Sequence, residues 1–308
     1  MTRWGLVSTI KAPVRDILAF AAHHLDLGAA RLYLYLDAPN PEAQEVLQRH
    51  PAIRVQVCDD AYWQAAPIKR PKKHQPRQTF NASEAYKTAD VDWLTHIDVD
   101  EFLWPDHPVA DTLAALSADT QTLRVRPMEL LSGSDTAYKA WLPPGPDRDR
   151  IAARLYPTYG EFLKGGFLSH VAGKVFVRTG MSPITFRIHN VFLGNDMNPG
   201  VAESTDMALC HRHALSWEDW HSSYRFRMAQ GSYRPELAPN RPHEKGGVKM
   251  HDLFAMIESE RGEDGLRAFF EEVCAATPRQ RAALEKEGLL RICDLSLDAK
   301  IAKHFPGI

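Results

Sequence analysis

The sequence predicts an α/β protein with a mixed, mostly parallel central sheet flanked by helices and a helical C-terminal region. Strand-like and helix-like segments alternate along the first 127 residues, an order that favours parallel pairing through right-handed crossovers. The chain has 308 residues, 44% hydrophobic and 9% aromatic, enough to bury a sizeable core. Because the alternation loosens after residue 130 and the tail turns helical, we predict two domains, 1–215 and 216–308, the second packed on the first.

The individual elements follow from local patterns. Strands are predicted at 4–10, 31–37, 53–58, 93–98 and 122–127, and helices between Pro13 and Gly28, at 41–50, at 81–89 and at 108–116. The stretch 59–78 is rich in Pro, Lys and Arg and is predicted to be a loop that can move. Later strands are predicted at 174–178 and 184–193, with antiparallel pairing, and helices follow capping patterns that begin at Ser216 and Thr277.

Composition narrows the class of protein and its ligand. Lys plus Arg total 37 against 39 Asp plus Glu, so the net charge of -2 provides no basic field for nucleic acid or an anionic membrane. The four cysteines lack a C-x-x-C spacing, which favours a reducing compartment. Neither a signal peptide pattern nor an apolar stretch of membrane-spanning length occurs. We expect a cytoplasmic protein without a transmembrane segment that binds a small molecule.

Carboxylates gather at the end of the predicted strand at 93–98. Asp98, Asp100 and Glu101 follow the apolar stretch there, at the sheet edge where open parallel sheets bind ligands. On an extended backbone, Asp98 and Asp100 would share one side and could converge on one cation, with Mg²⁺ or Mn²⁺ favoured by oxygen ligands. On spacing alone, a solvated acidic turn explains the pattern equally well. Phe102 and Leu103 exclude a calcium loop of the EF-hand type.

The stretch WLTHIDVDEFLWP resembles the signature of glycosyltransferases similar to family 2 with the GT-A fold, which is Rossmann-like. The opening VSTIKAPVRDILAFAAHHLDLGAARLYLYLD also resembles that group, in which a helix ending in His-His precedes a strand that runs to an acidic residue. Further stretches, GKVFVR, FRIHNVFL and CHRHALSWEDW, are similar to parts of the family, and the resemblance covers about residues 5 to 220.

The resemblance implies roles for individual positions. Asp98 and Asp100, the DxD pair, would hold a divalent metal that bridges the diphosphate of a nucleotide sugar, and Glu101 would brace the turn through a basic partner. His211 would be a third metal ligand, although Arg212 replaces the aromatic residue often found next in the family. The residues that would line the nucleotide or phosphate sites are Thr9, Lys11, Asp37, Lys174 and His189.

The general base that removes the acceptor proton has three candidates. Glu129 and Asp135 are the acids best placed to enter the pocket, although a solvated loop acid is an equal explanation for either, and His189 could accept the proton as a neutral imidazole. Arg70, with Lys72 and Lys73, could close over the diphosphate, unless this basic run is only a solvated surface. A structural zinc site at His211, His213 and His221 lacks the expected cysteines.

Three functions from different classes follow. The leading hypothesis is a metal-dependent, inverting glycosyltransferase that moves a hexose from a UDP- or GDP-sugar to a hydroxyl of a glycan, a lipid-linked sugar or a small molecule. The alternative is a metal-dependent hydrolase of a phosphoester or nucleotide sugar. A sugar-binding protein without turnover is the third. Dinucleotide and P-loop classes are disfavoured, because neither glycine-rich motif occurs.

Overall fold

A computed structural model describes residues 1–239 and 247–307. The chain forms two compact units: a first unit of Met1–Arg126, Ala172–Leu209 and Leu295–Ile308, and a second unit of Pro127–Val171 and Cys210–Asp294. These units do not follow the predicted boundary between 215 and 216, which divided the chain by sequence order. The physical reason is that the last helix of the chain packs on the first, so the C-terminus belongs to the first unit.

The N-terminal elements of the first unit confirm the predicted alternation. They are β1 (Trp4–Ile10), α1 (Val14–Asp26), β2 (Arg31–Leu36), α2 (Pro41–Gln48), β3 (Ile53–Val57), α3 (Asp60–Ala65), α4 (His74–Lys87), β4 (Trp93–His96), β5 (Glu101–Pro105) and α5 (Val109–Ala114). One prediction is wrong. The stretch 59–78 contains α3 and the first turn of α4, and is not a continuous loop. Pro76 lies in that first turn, where a helix needs no backbone N–H donor.

The later elements alternate between the two units. β6 (Thr122–Leu130) continues from the first unit into the second, which holds β7 (Ala137–Ala140) and α6 (Arg148–Leu155). The first unit adds β8 (Lys174–Arg178), β9 (Ile184–Phe186), β10 (Val191–Leu193), β11 (Asp196–Met197) and most of β12 (Val201–His211). The second unit ends with α7 (Trp217–Ala229), α8 (Met250–Val273), α9 (Pro278–Lys286) and β13 (Leu290–Ile292), and α10 (Leu297–His304) returns to the first unit.

The sheet of the first unit has the predicted, mostly parallel character. Its order is β6-β8-β4-β1-β2-β3, in which β1 is parallel to β2 and β4, and β2 is parallel to β3. Only β8 is antiparallel to its neighbours β4 and β6, so the other five strands of this path run in one direction. The carboxyl ends of β1, β2 and β4 therefore meet at one edge of the sheet, which is where such sheets bind ligands.

The second unit combines an antiparallel part, which was not predicted, with the predicted helical cluster. The end of β6 pairs antiparallel with β7, and β7 pairs antiparallel with β13. The helices bury an aromatic core that includes Trp220, Tyr224, Phe254 and Phe269. Across residues 1–239 and 247–307, no helix combines the length and the apolar character needed to cross a membrane.

Several strand predictions need correction, since β5, β7 and β13 were not predicted. The predicted strand at 184–193 is two short strands, β9 and β10, which pair antiparallel with each other. β12 was not predicted, because its first residues alternate between exposed and half-buried side chains and carry little apolar signal.

Candidate functional site

The acidic residues form a tight turn between β4 and β5. The backbone N–H of Glu101 donates to the carbonyl of Asp98 at 3.1 Å, and the N–H of Asp98 donates to Oε2 of Glu101 at 3.0 Å. The turn is therefore closed by a backbone bond and by a side chain, and we call residues 98–101 the acidic turn. The assumption that Asp98 and Asp100 lie on extended backbone is wrong, because β4 ends at His96.

A buried lysine neutralises part of the acidic turn. Nζ of Lys174 lies 2.6 Å from Oδ2 of Asp98 and 3.0 Å from Oε2 of Glu101. Lys174 is the first residue of β8, the strand that runs beside β4, and its side chain is 1% exposed. The basic partner expected for Glu101 is thus confirmed.

Gly173 allows the chain to reach this position. Its φ is +67°, and a Cβ there would lie 2.0 Å from the carbonyl oxygen of Val125. Only glycine combines this backbone conformation with so close an approach. The Gly-Lys pair at the start of β8 therefore places the ammonium of Lys174 at the acidic turn.

The electrostatics keep this pair ionised. Burial opposes the charge on both side chains, but attraction to Lys174 outweighs it and lowers the pKa of Asp98. Burial would likewise lower the pKa of Lys174, yet the carboxylates of Asp98 and Glu101 raise it. Glu101 is fully buried, whereas 29% of the Asp98 side chain remains exposed. Of the two carboxylates that contact Lys174, Asp98 is therefore the one that a ligand can reach.

Polar side chains of α4 bind the ends of three strands. Nε2 of Gln78 donates to Oδ1 of Asp98 at 2.6 Å, after β4. Nδ2 of Asn81 donates to Oγ1 of Thr9 at 3.0 Å, in β1. Arg77 binds Asp37, after β2. One helix therefore holds the polar groups of three neighbouring strand ends.

Gln78 and Asn81 were not predicted as site residues, because the start of α4 was predicted to be a loop and the helix to begin only at residue 81. A usable signal was present. Gln78, Asn81, Ala82, Ala85 and Tyr86 share the buried face of α4 at helical spacing. Polar residues that continue an apolar stripe point to buried hydrogen-bonding partners, which here are the strand ends.

Asp37 is enclosed by basic side chains. Nε and Nη2 of Arg77 donate to its carboxylate at 2.9 and 2.7 Å, while Nη2 of Arg70 and Nδ1 of His74 each lie 3.6 Å away. Burial opposes ionisation, but hydrogen bonds from His74 and Arg77 lower the pKa of Asp37. Arg77 also donates to the carbonyls of Pro71 and Lys72, which ties the basic segment to the site. The expected contact between Asp37 and a nucleotide stays a prediction.

Two further predicted residues of the first unit flank these strand ends. Lys11 directly follows β1 and is exposed. Nδ1 of His189 lies 3.0 Å from the carbonyl oxygen of Gly173. A carbonyl only accepts hydrogen bonds, so Nδ1 carries the hydrogen, and in the neutral ring Nε2 is the basic nitrogen. Gly173 thereby links the position of His189 to that of Lys174.

The remaining predicted residues lie in the second unit. Glu129 is buried, pairs with Nζ of Lys139 at 3.0 Å, and accepts from the N–H groups of Leu168 and Ser169. Burial would raise the pKa of Glu129, but Lys139 and these bonds lower it to about 2, which makes the carboxylate a weak proton acceptor. Asp135 is 93% exposed and lies 3.4 Å from Arg212.

His211, the predicted third metal ligand, belongs to the second unit and is buried. Its ring centroid lies 5.4 Å from that of His170 and 5.2 Å from that of His213. Its role as a metal ligand stays a prediction.

The acidic turn fits a divalent cation by its donor chemistry. Each Asp98 oxygen accepts one hydrogen bond, and a carboxylate oxygen has a second lone pair for a metal. Asp100 is half-buried in the same turn. Lys174 brings one positive charge to the two carboxylates of Asp98 and Glu101, and hard cations such as Mg²⁺ and Mn²⁺ prefer oxygen ligands of this kind.

Comparisons with known proteins show distant likenesses. Neither a protein-family model nor a curated protein matches the sequence. Among solved structures, S. aureus TarS 1-349 in complex with UDP-GlcNAc is 13% identical, with a TM-score of 0.40, over 99% of this chain and 89% of that one. HddC from Yersinia pseudotuberculosis is 10% identical, with a TM-score of 0.38, over 73% of this chain and 100% of that one. The fold assignment of this chain rests on the order and direction of its strands.

Proposed function

We propose that this protein is a glycosyltransferase that moves a sugar from a nucleotide diphosphate sugar to a hydroxyl acceptor. The observation that carries the proposal is the acidic turn, whose reachable carboxylate, Asp98, lies at the carboxyl end of β4 and is held by Gln78 and Lys174. Ligands of open parallel sheets bind at this edge. The resemblance of WLTHIDVDEFLWP to GT-A glycosyltransferases supports the same assignment.

Different residues of the first unit would bind different parts of the sugar donor. Asp98 and Asp100 would hold Mn²⁺ or Mg²⁺, which supplies positive charge to the leaving diphosphate. Thr9 and Asp37, at the ends of β1 and β2, would bind the nucleoside of a UDP- or GDP-sugar. Lys11 and Arg70, both exposed at the same strand ends, would attract the phosphates, and Lys174 would keep the acidic turn in shape.

His189 is the general base of the proposed reaction, which inverts the anomeric centre. Its neutral tautomer, fixed by the carbonyl of Gly173, presents Nε2 as the proton acceptor for the hydroxyl of a glycan, lipid-linked or small-molecule acceptor. Glu129 is a poorer choice, because its pKa of about 2 leaves little affinity for a proton at neutral pH.

The test removes the two aspartates and measures binding separately from turnover. In the double variant Asp98→Asn and Asp100→Asn, we expect no detectable sugar transfer and no coupling between Mn²⁺ and UDP in calorimetric titrations. Asp196→Asn is the matched control, because Asp196 is an exposed aspartate on a separate hairpin, β10-β11. That control should keep both properties of the parent chain.

A screen of nucleotide diphosphate sugars by thermal shift, with and without Mn²⁺, identifies the sugar donor, because a ligand of the native state raises the melting temperature. Full transfer by the double aspartate variant would refute the proposal. Rapid hydrolysis of the sugar donor without any acceptor, at two metal ions per chain, would instead indicate the hydrolase. Binding of UDP that ignores Mn²⁺, without turnover, would indicate a binding protein.

A further inference from the structure

Two adjacent histidines of α1 bind the backbone of the strand that follows the acidic turn. His23 and His24 are both buried. Nε2 of His23 lies 2.7 Å from the carbonyl oxygen of Leu103, and Nε2 of His24 lies 3.4 Å from the N–H nitrogen of Leu103. The two rings therefore bind both backbone polar groups of one residue, which lies two positions after Glu101.

The partners of the four ring nitrogens fix both tautomers. Nδ1 of His23 lies 3.2 Å from Nζ of Lys300, and an ammonium only donates, so this nitrogen accepts and Nε2 donates to Leu103. Nδ1 of His24 lies 2.8 Å from the carbonyl oxygen of Phe20, so this nitrogen donates and Nε2 accepts from Leu103. Both rings are thus neutral, in opposite tautomers. Burial, with Lys300 nearby, lowers the pKa of His23 to about 4, which agrees with this assignment.

The histidines take the place of a neighbouring strand. The N–H and C=O of a strand residue point to the same edge, and β5 pairs with β12 at its other edge. Buried backbone groups need partners, and at Leu103 the two imidazoles provide them. The ring of Phe102 packs against both imidazoles, with centroids 5.3 Å from His23 and 6.2 Å from His24.

We propose that His23 and His24 are positioning residues for the acidic turn: they fix β5 at Leu103, and Lys300 of α10 completes the pair by fixing the tautomer of His23. A displaced β5 would move the Glu101 carboxylate away from the N–H of Asp98 and from Lys174, which together hold the turn. The proposal rests on the proposed function, because this turn is the one assigned to the sugar donor. It makes the C-terminal helix part of that site.

Paired substitutions separate this role from general stability. Glutamine places its terminal amide near the position of Nε2, whereas asparagine reaches only the position of Nδ1. His23→Gln and His24→Gln can therefore keep the bonds to Leu103, and His23→Asn and His24→Asn cannot. We expect the amides of residues 98–103 to exchange hydrogen about tenfold faster in the asparagine variants and within about threefold of the parent in the glutamine variants. In Lys300→Met, the exchange rates of these amides should lie between those of the asparagine and the glutamine variants.

Amides of β2 serve as the internal control, because global unfolding speeds their exchange equally. The proposal is overturned if residues 98–103 change no more than β2 does, or if the glutamine variants behave like the asparagine variants. Titration of UDP in the presence of Mn²⁺ should also show about tenfold weaker binding for the asparagine variants only, and equal binding overturns the positioning role. Absence of UDP binding by the parent chain counts against the proposed function, while the exchange result still decides the role of the histidines.

Discussion

Each unit contains a buried lysine paired with carboxylates, and the two pairs have different surroundings. In the second unit, Lys139 and Glu129 are both sealed from solvent, and Lys139 also donates to the carbonyls of Gly166 and Val273. In the first unit, Lys174 is equally buried, but its partner Asp98 is partly exposed. We call Lys139–Glu129 the closed pair, because solvent reaches neither side chain, and Lys174–Asp98 the open pair, because Asp98 stays partly exposed.

The difference teaches which carboxylate can take part in chemistry. Glu129 accepts from Lys139 and from two backbone N–H groups and is sealed from solvent, so this pair stabilises the fold and a ligand cannot reach the carboxylate. Asp98 is oriented by Gln78 and Lys174 and keeps an exposed side at the strand ends. Burial and a lysine partner alone therefore do not mark a functional acid. We propose Asp98 because it also keeps an exposed side where open parallel sheets bind ligands.

Removal of the lysine from the closed pair should have the largest effect. Lys139→Met leaves the carboxylate of Glu129 buried without its cation, and we expect a loss of about 3–5 kcal/mol in the free energy of unfolding. Urea denaturation measures this loss. The control is Lys87→Met, which breaks the exposed Lys87–Glu84 pair and should cost less than about 1 kcal/mol. A loss below that of the control would show that the closed pair is unimportant for stability.

Acid should weaken the closed pair next. The pKa of Glu129 is lowered from 4.5 to about 2 in the folded chain, so the unfolded chain binds the proton first as pH falls. Its contribution to stability, about 3 kcal/mol, is complete above pH 4.5 and is lost as pH falls toward 2. Between pH 4.5 and 2, the free energy of unfolding should change less with pH in Glu129→Gln than in the parent chain, as measured by urea denaturation at each pH. Identical slopes would contradict the pairing.

The open pair should differ from the closed pair mainly in binding. Lys174→Met leaves the buried carboxylate of Glu101 without its cation, while water can solvate the exposed side of Asp98. We therefore expect a loss of about 3 kcal/mol in the free energy of unfolding, at the lower end of the range expected for Lys139→Met. We expect the binding of UDP with Mn²⁺ to weaken strongly in this variant, while Lys139→Met, measured well below its melting temperature, binds as the parent does. Equal binding by both variants would remove the distinction between the two pairs.

The smallest effect should come from Asp135, an acid that is almost fully exposed. Asp135→Asn changes a side chain that contacts Arg212 at the surface, and we expect less than about 0.5 kcal/mol in stability and an unchanged rate of transfer. Steady-state kinetics with the identified sugar donor check the rate. A large fall in the rate would reassign the general base from His189 to Asp135.

Local patterns were sufficient for the frame of the first unit. β1 was predicted with its observed ends, and the ends of β2, β3 and α2 lie within two residues of the prediction, because apolar periodicity and punctuation by Pro and Gly act over short stretches. β12 was missed for the converse reason, since its polar first residues gain their strand conformation from pairing with β5 and β6.

The candidate site was only partly predictable. The acidic residues stood out by their composition and their place after an apolar strand. The turn that they form could not be predicted, because it depends on the Glu101 carboxylate, on Lys174 and on Gln78, which come from elements far apart in sequence. The start of α4 was hidden by prolines and cations, which are compatible with a first helical turn as well as with a loop.

The sequence by itself determined the alternation of the first strands and helices, the parallel core of the sheet, and the location of the acidic residues at the end of β4. These features follow from side-chain periodicity and turn chemistry, which are local. Only the tertiary structure decided which carboxylate is open and which is closed, and which histidines hold the backbone of β5. Those outcomes depend on burial and on hydrogen-bond partners that folding brings together, as Lys300 meets His23 across most of the chain.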